Sequence, residues 1–120
     1  MAGIAFTTVF DSKVITSTTP TGAGADVVYT VPNNHDVELT HLQCTNGAGV
    51  NTMSLLVYHA DENEYHYLLR DHSVAANSSF FTITSNRIFL HAGDKVVAYK
   101  TAGTFDVAVS GKQYFNPVRN

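Results

Sequence analysis

Six histidines, at positions 35, 41, 59, 66, 72 and 91 of a 120-residue chain, are the residues with the most obvious chemical potential. His59 and His66 flank the polar run Asp61-Glu62-Asn63-Glu64. With Glu62 or Glu64 they could approach a two-imidazole, one-carboxylate set of the kind that holds a transition metal. That spacing is unselective, since any hairpin tip with two histidines satisfies it. The plainer reading makes the imidazoles structural or superficial, and no metal is expected. Cys44 would need a polarising imidazole, such as His41 or His35, and an electropositive opening to become a nucleophile. As the single cysteine it can form neither an internal disulfide nor a Cys-x-x-Cys site, and it reads as a buried thiol on a strand.

Other catalytic arrangements fare no better. The chain has no Gly-x-Ser-x-Gly elbow and no strand-turn-helix to carry one. Asp61, Glu62 and Glu64 crowd a solvated tip, whereas a glycosidase holds two carboxyls apart across a cleft in unlike environments. Gly22-Ala23-Gly24 does not lie between a strand and a helix, so it is not placed to cradle a phosphate. The chain therefore reads as a non-enzyme with no catalytic residue and no cofactor. Tyr29, Tyr58, Tyr65, Tyr67, Tyr99 and Tyr114 could present a platform for sugar rings, with Tyr58, Tyr65 and Tyr67 the ones that would face a glycan. The competing use is packing, in a core or between subunits.

The elements that must position these residues are strands. Fourteen Thr, eight Ser, fourteen Val and thirteen Phe plus Tyr favour extended backbone, and only 14% of residues are charged. Period-two alternation recurs through residues 26–31, 37–44, 53–58, 65–70, 80–84, 86–90, 95–100 and 105–110, separated by turn-forming sets such as Pro32-Asn33-Asn34 and His91-Ala92-Gly93-Asp94. A phase slip from Val37 and Leu39 to Leu42 and Cys44 points to a bulge near Thr40-His41 or to a strand end there. Gly111 is expected to break the last strand before a short Gln113-Tyr114-Phe115 segment. About eight strands at this spacing predict an all-β antiparallel sandwich, jelly-roll or immunoglobulin-like. Its expected core is Val28, Val37, Leu39, Leu55, Val57, Leu69, Ile83, Leu90, Val97, Val107 and Val109.

Residues 26–115 are thus the sandwich, and residues 116–120 a tail that Pro117 turns away. Residues 1–25 read as an arm ending in a small-residue linker, Ser17 to Ala25. Phe6, Val9, Phe10, Val14 and Ile15 in that arm are apolar, so it either adds an edge strand or docks on a neighbour. These five, with Tyr58, Tyr65 and Tyr67, are the candidate interface residues. A net charge of −3 without a basic run argues against nucleic acid, and no apolar run is long enough for a membrane span. No secretory signal is expected from Met1-Ala2-Gly3-Ile4.

Val28-Tyr29-Thr30-Val31-Pro32-Asn33-Asn34, followed by Leu39, Leu42, Cys44 and Asn46, resembles the opening of small β-sandwich virion proteins of tailed bacteriophages. Tyr67-Leu68-Leu69-Arg70, Ala92-Gly93-Asp94-Lys95-Val96 and Phe105-Asp106-Val107 extend the resemblance over roughly residues 26–110. It implies a non-enzymatic structural part of a virion, a capsid decoration protein or a neck or tail component. Such a protein is made in the host cytoplasm and partners itself and other virion subunits. The alternative is a carbohydrate-binding receptor domain that uses the surface tyrosines.

Overall fold

Alternating side chains put one set of apolar residues on each strand's inward face, and two sheets close over them. The computed structural model describes residues 6–47, 49, 51–81 and 88–117. Its strands are β1 (Thr7–Ile15), β2 (Asp26–Thr30), β3 (His35–Asn46), β4 (Asn51–His59), β5 (Glu64–Val74), β6 (Ser79–Phe81), β7 (Ile88–His91), β8 (Lys95–Lys100) and β9 (Phe105–Phe115). One sheet runs β1-β9-β3-β6, with β7 also on β3; the other runs β2-β8-β4-β5. Because β9 lines one side of β3 throughout, β6 and β7 share the other side, and both sheets are four strands wide.

All pairings are antiparallel, and they are nested. The β4–β5 hairpin sits inside β3 with β6 and β7, which sits inside β2–β8, which sits inside β1–β9. Curling this ribbon so that β9 meets β3 and β8 meets β4 makes the two sheets. That is jelly-roll topology. It decides between the two sandwich types the alternation allows.

Eight expected core residues are buried between the sheets: Val28, Val37, Leu39, Leu55, Val57, Leu90, Val107 and Val109. Leu69 is half-buried against them. Val97 is buried too, but on the opposite face of its sheet, with Leu56 and Tyr99. Ile83 lies outside the described residues. Among the described residues the largest fully buried side chain is Phe105, and removing it from water contributes about 1.5–3 kcal/mol.

The bulge lies where the phase slip places it. Leu39 pairs with Gly111 and His41 with Ser110, leaving Thr40 as the extra residue. Gly111 does not end β9, contrary to expectation; the strand continues through it to Phe115. The bulge brings the β3 backbone so close that a Cβ on Gly111 would stand 2.2 Å from the Glu38 carbonyl oxygen. Glycine is there to admit the neighbouring chain, not to break the ladder.

Two further expectations give way to tertiary contacts. The apolar half of the arm is β1, an edge strand paired with β9 from Thr7 to Ile15, so the sheet begins at Thr7 and not at residue 26. Ser17 to Ala25 is not a free linker either. Asp26 accepts hydrogen bonds from the Thr16 and Ser17 amides at 2.6 and 3.0 Å, and the Ser17 carbonyl accepts from the Lys100 amide at 3.0 Å. Ala25 then packs on Leu56, Val97 and Tyr99, and Gly22 lies against the Tyr65 ring. At the other end, Asn116 stays on the body through its amide to the Asn34 carbonyl at 2.6 Å.

Candidate functional site

The outer face of the β1-β9-β3-β6/β7 sheet can be built row by row from its register. Tyr114, Asp36 and His91 form one row, with Phe6 against the Tyr114 ring at 6.0 Å between centroids. Thr8, Lys112, Glu38 and Phe89 form the next, and beyond the bulge come Phe10, Ser110 and His41. Ser12, Ala108 and Gln43 follow, then Val14, Asp106 and Thr45. Along β3 the side chains link at i, i+2: His41 Nε2 lies 3.2 Å from Gln43 Oε1, and the Gln43 amide nitrogen donates to Thr45 Oγ1 at 3.4 Å. A polar ladder therefore occupies the middle of the face.

Large apolar side chains surround that ladder. Phe10 is 69% exposed and Val14 54% on the β1 edge, while Phe89 is 64% and Phe115 66% exposed at the far end, beside Phe6 at 50%. Between them runs an open groove of about 370 Å³ lined by Asp36, Val37, Phe89, Tyr114, Phe115 and Asn116. Its polar walls are tied down. Asp36 accepts from the Asn116 side-chain amide at 2.9 Å and faces His91 Nδ1 at 2.9 Å, and the Tyr114 hydroxyl donates to Glu38 at 3.4 Å. Such a face offers area and shape for a contact.

The expected interface residues divide. Phe6, Phe10 and Val14 stand exposed on this sheet, Val9 is half-buried against the core, and Ile15 is fully buried inside it. Phe89 and Phe115 were absent from that set. The signal for Phe89 was available, because alternation against buried Leu90 assigns it to the outer face. Phe115 carried no such signal, since it lies beyond the expected break at Gly111.

Tyr58, Tyr65 and Tyr67 come together on the other sheet, but largely for packing. The Tyr58 and Tyr65 rings lie 4.7 Å apart, and the Tyr58 hydroxyl donates to Asn63 at 2.6 Å. The Tyr67 hydroxyl lies 3.0 Å from that of Tyr99, which raises the Tyr67 pKa, and the Arg70 guanidinium sits 4.6 Å above the Tyr67 ring. Gly22 lies against Tyr65, and Tyr65 and Tyr67 nevertheless remain exposed, at 36% and 37%.

The hairpin tip does gather its histidines. His66 Nε2 lies 3.7 Å from Glu62 and 3.6 Å from Glu64, and its ring is 5.2 Å from that of His59. Glu62, Glu64 and His66 are all exposed, and their ligand atoms lie within 4.8 Å of one another, a set that could hold a metal ion. His59 turns its Nδ1 towards Asp94, 3.6 Å away. Asp94 already accepts the Ala60 and His91 amides at 2.9 Å each, which closes the turn before β8. Cys44 is brought to neither His35 nor His41. It points into the core while His41 faces out, and burial pushes its thiol up to about 12.

No family model matches the chain, and no curated protein does. Among solved structures, a chain from Bacillus endospore appendages, a family of disulfide-linked pili, is 14% identical over 97% of this chain and 95% of that one, with a TM-score of 0.46. Eiger TNF from S. frugiperda is 14% identical over 96% of each chain, with a TM-score of 0.43. At that distance neither likeness carries an argument about what this chain does.

Proposed function

We propose that the protein is a non-enzymatic structural subunit of a tailed-phage virion, a capsid decoration protein or a neck or tail component. The outer face of the β1-β9-β3-β6/β7 sheet is the surface it presents to other subunits. One observation carries the assembly reading: four large apolar side chains, Phe6, Phe10, Val14 and Phe89, stand half or more exposed on that face, and Phe115 is 66% exposed at the end of β9 on the opposite phase. Leaving them in water forgoes burial, and exposed apolar side chains gathered around one face mark a contact site. The virion assignment rests on the sequence resemblance.

Quantitative mass spectrometry of purified virions tests it. Hundreds of copies favour decoration, a small ring number favours neck or tail, and absence from particles overturns the proposal. The double variant Phe89→Asp/Phe115→Asp should fold, because both rings lie outside the core, yet fail to join particles. A glycan-receptor reading is weaker, because the Tyr58 and Tyr67 hydroxyls and the Tyr65 ring already have partners within the chain. Glycan-array binding abolished by Tyr67→Ala would promote it.

A further inference from the structure

β1 is the terminal strand of its sheet, so one row of its backbone N–H and C=O groups faces away from β9 with no strand to receive it among the described residues. Open edges of this kind pair with other chains unless something prevents it. Charged side chains are a common safeguard, and β1 carries two, Asp11 and Lys13, both exposed. Their signs are opposite, and they are separated by one residue, Ser12. They share one face of the strand, while Phe10, Ser12 and Val14 share the other.

We infer that β1 pairs antiparallel with β1 of a second copy of this chain, about a two-fold axis at Ser12. This deepens the assembly reading of the same sheet by naming one partner and a register. In antiparallel pairing about a two-fold axis, some residue k must stand opposite itself, and residue k+1 stands opposite k−1 of the partner. With Ser12 at the axis, Asp11 of each copy meets Lys13 of the other, and Phe10 meets Val14. Two opposite-charge pairs form on one face and two apolar pairs on the other.

Neighbouring registers lack this match. An axis at Asp11 or Lys13 sets like charges directly opposite, and an axis at Phe10 or Val14 leaves both charges facing uncharged residues. Because cross-strand pairs are the stabilising unit of a sheet, only the Ser12 register uses the charges and the exposed Phe10 and Val14 together. The pair of charges then selects a partner instead of shielding the edge. The resulting dimer fuses two four-wide sheets into one continuous sheet, with the Phe89 and Phe115 ends pointing apart and free for other subunits.

Charge reversal with the full-length chain tests the register by sedimentation velocity. The wild type should dimerise. Lys13→Asp and Asp11→Lys should each weaken self-association roughly ten- to hundredfold, since both cross-strand pairs become like-charged. An equimolar mixture of the two variants, and the double variant Asp11→Lys/Lys13→Asp, should restore it. Ser12→Cys should cross-link to a covalent dimer under mild oxidation, and Thr8→Cys should not. Circular dichroism checks that each variant folds. A wild type that stays monomeric at its highest soluble concentration overturns the inference, as does a dimer indifferent to Lys13→Asp or a mixture without rescue. If Lys13→Asp enters virions normally while Phe89→Asp/Phe115→Asp does not, this inference falls and the assembly reading stands.

Discussion

Gly111→Ala probes the contact that makes the bulge possible. The new Cβ would sit 2.2 Å from the Glu38 carbonyl oxygen, and 3.0 Å from both the Glu38 carbonyl carbon and Leu39 Cα. All three are backbone atoms of β3, which has partner strands on both sides and cannot swing away. Overpacking costs about 1–3 kcal/mol, and rigid backbone puts this site at the upper end. Distorting a ladder hydrogen bond adds about 1 kcal/mol. Alanine's lower entropy cost in a strand returns roughly 0.5–1 kcal/mol.

The net loss is therefore about 3 kcal/mol. At roughly 4 °C per kcal/mol for a domain of this size, Tm should fall by about 12 °C in thermal unfolding followed by circular dichroism. Gly47→Ala is the control, because its Cβ would meet Thr104 Cβ at an ordinary 3.4 Å. A change within about 0.5 kcal/mol is expected there. If Gly111→Ala loses no more than Gly47→Ala, the close approach at the bulge is not what holds glycine at that position.

Three other outcomes follow from single side chains. Asn46 is buried and its amide nitrogen donates to the carbonyls of Gly49, Val74 and Ala75 at 2.7, 3.1 and 3.1 Å, so Asn46→Ala should cost about 2–3 kcal/mol in urea unfolding by stranding those acceptors. Burial raises the Asp26 pKa, but the Thr16 and Ser17 amides, the Thr16 hydroxyl and Lys13 outweigh it and hold the carboxyl below its usual 3.8. The stability this contributes is present above the unfolded value and lost as pH falls through the folded one; Asp26→Asn should remove that acid-side dependence in pH-resolved Tm measurements. Cys44, with a thiol pushed up to about 12, should resist iodoacetamide at pH 8 in the native state and react at once in guanidinium, as read by intact-mass spectrometry.

Alternation alone located most of the sandwich, since a half-buried strand writes its two faces into the sequence every second residue. It assigned Leu39, Leu55, Val107 and Val109 to the core, and the slip between Leu39 and Leu42 pointed to a bulge or a strand end near Thr40-His41, which the pairing with β9 resolves as a bulge at Thr40. The interface was only partly legible. Phe6, Phe10 and Val14 could be picked out as apolar residues in an arm, but Ile15 in the same arm is core and Phe115 was hidden behind Gly111.

What the sequence by itself determined is local: strand type, turn positions, the hairpin tip at residues 61–64 and the phase of each strand. All are properties of a few consecutive residues and their backbone preferences. The tertiary structure alone decided which strand lies beside which. Ser17 to Ala25 has the composition of a flexible linker, yet it lies across Leu56, Val97 and Tyr99 because Asp26 and the Lys100 amide anchor it there. Gly111 resembles a strand breaker, yet it continues β9 because the β3 bulge stands against it. Composition records what a segment can do in isolation, and only a partner distant in sequence determines which of those options has the lowest free energy.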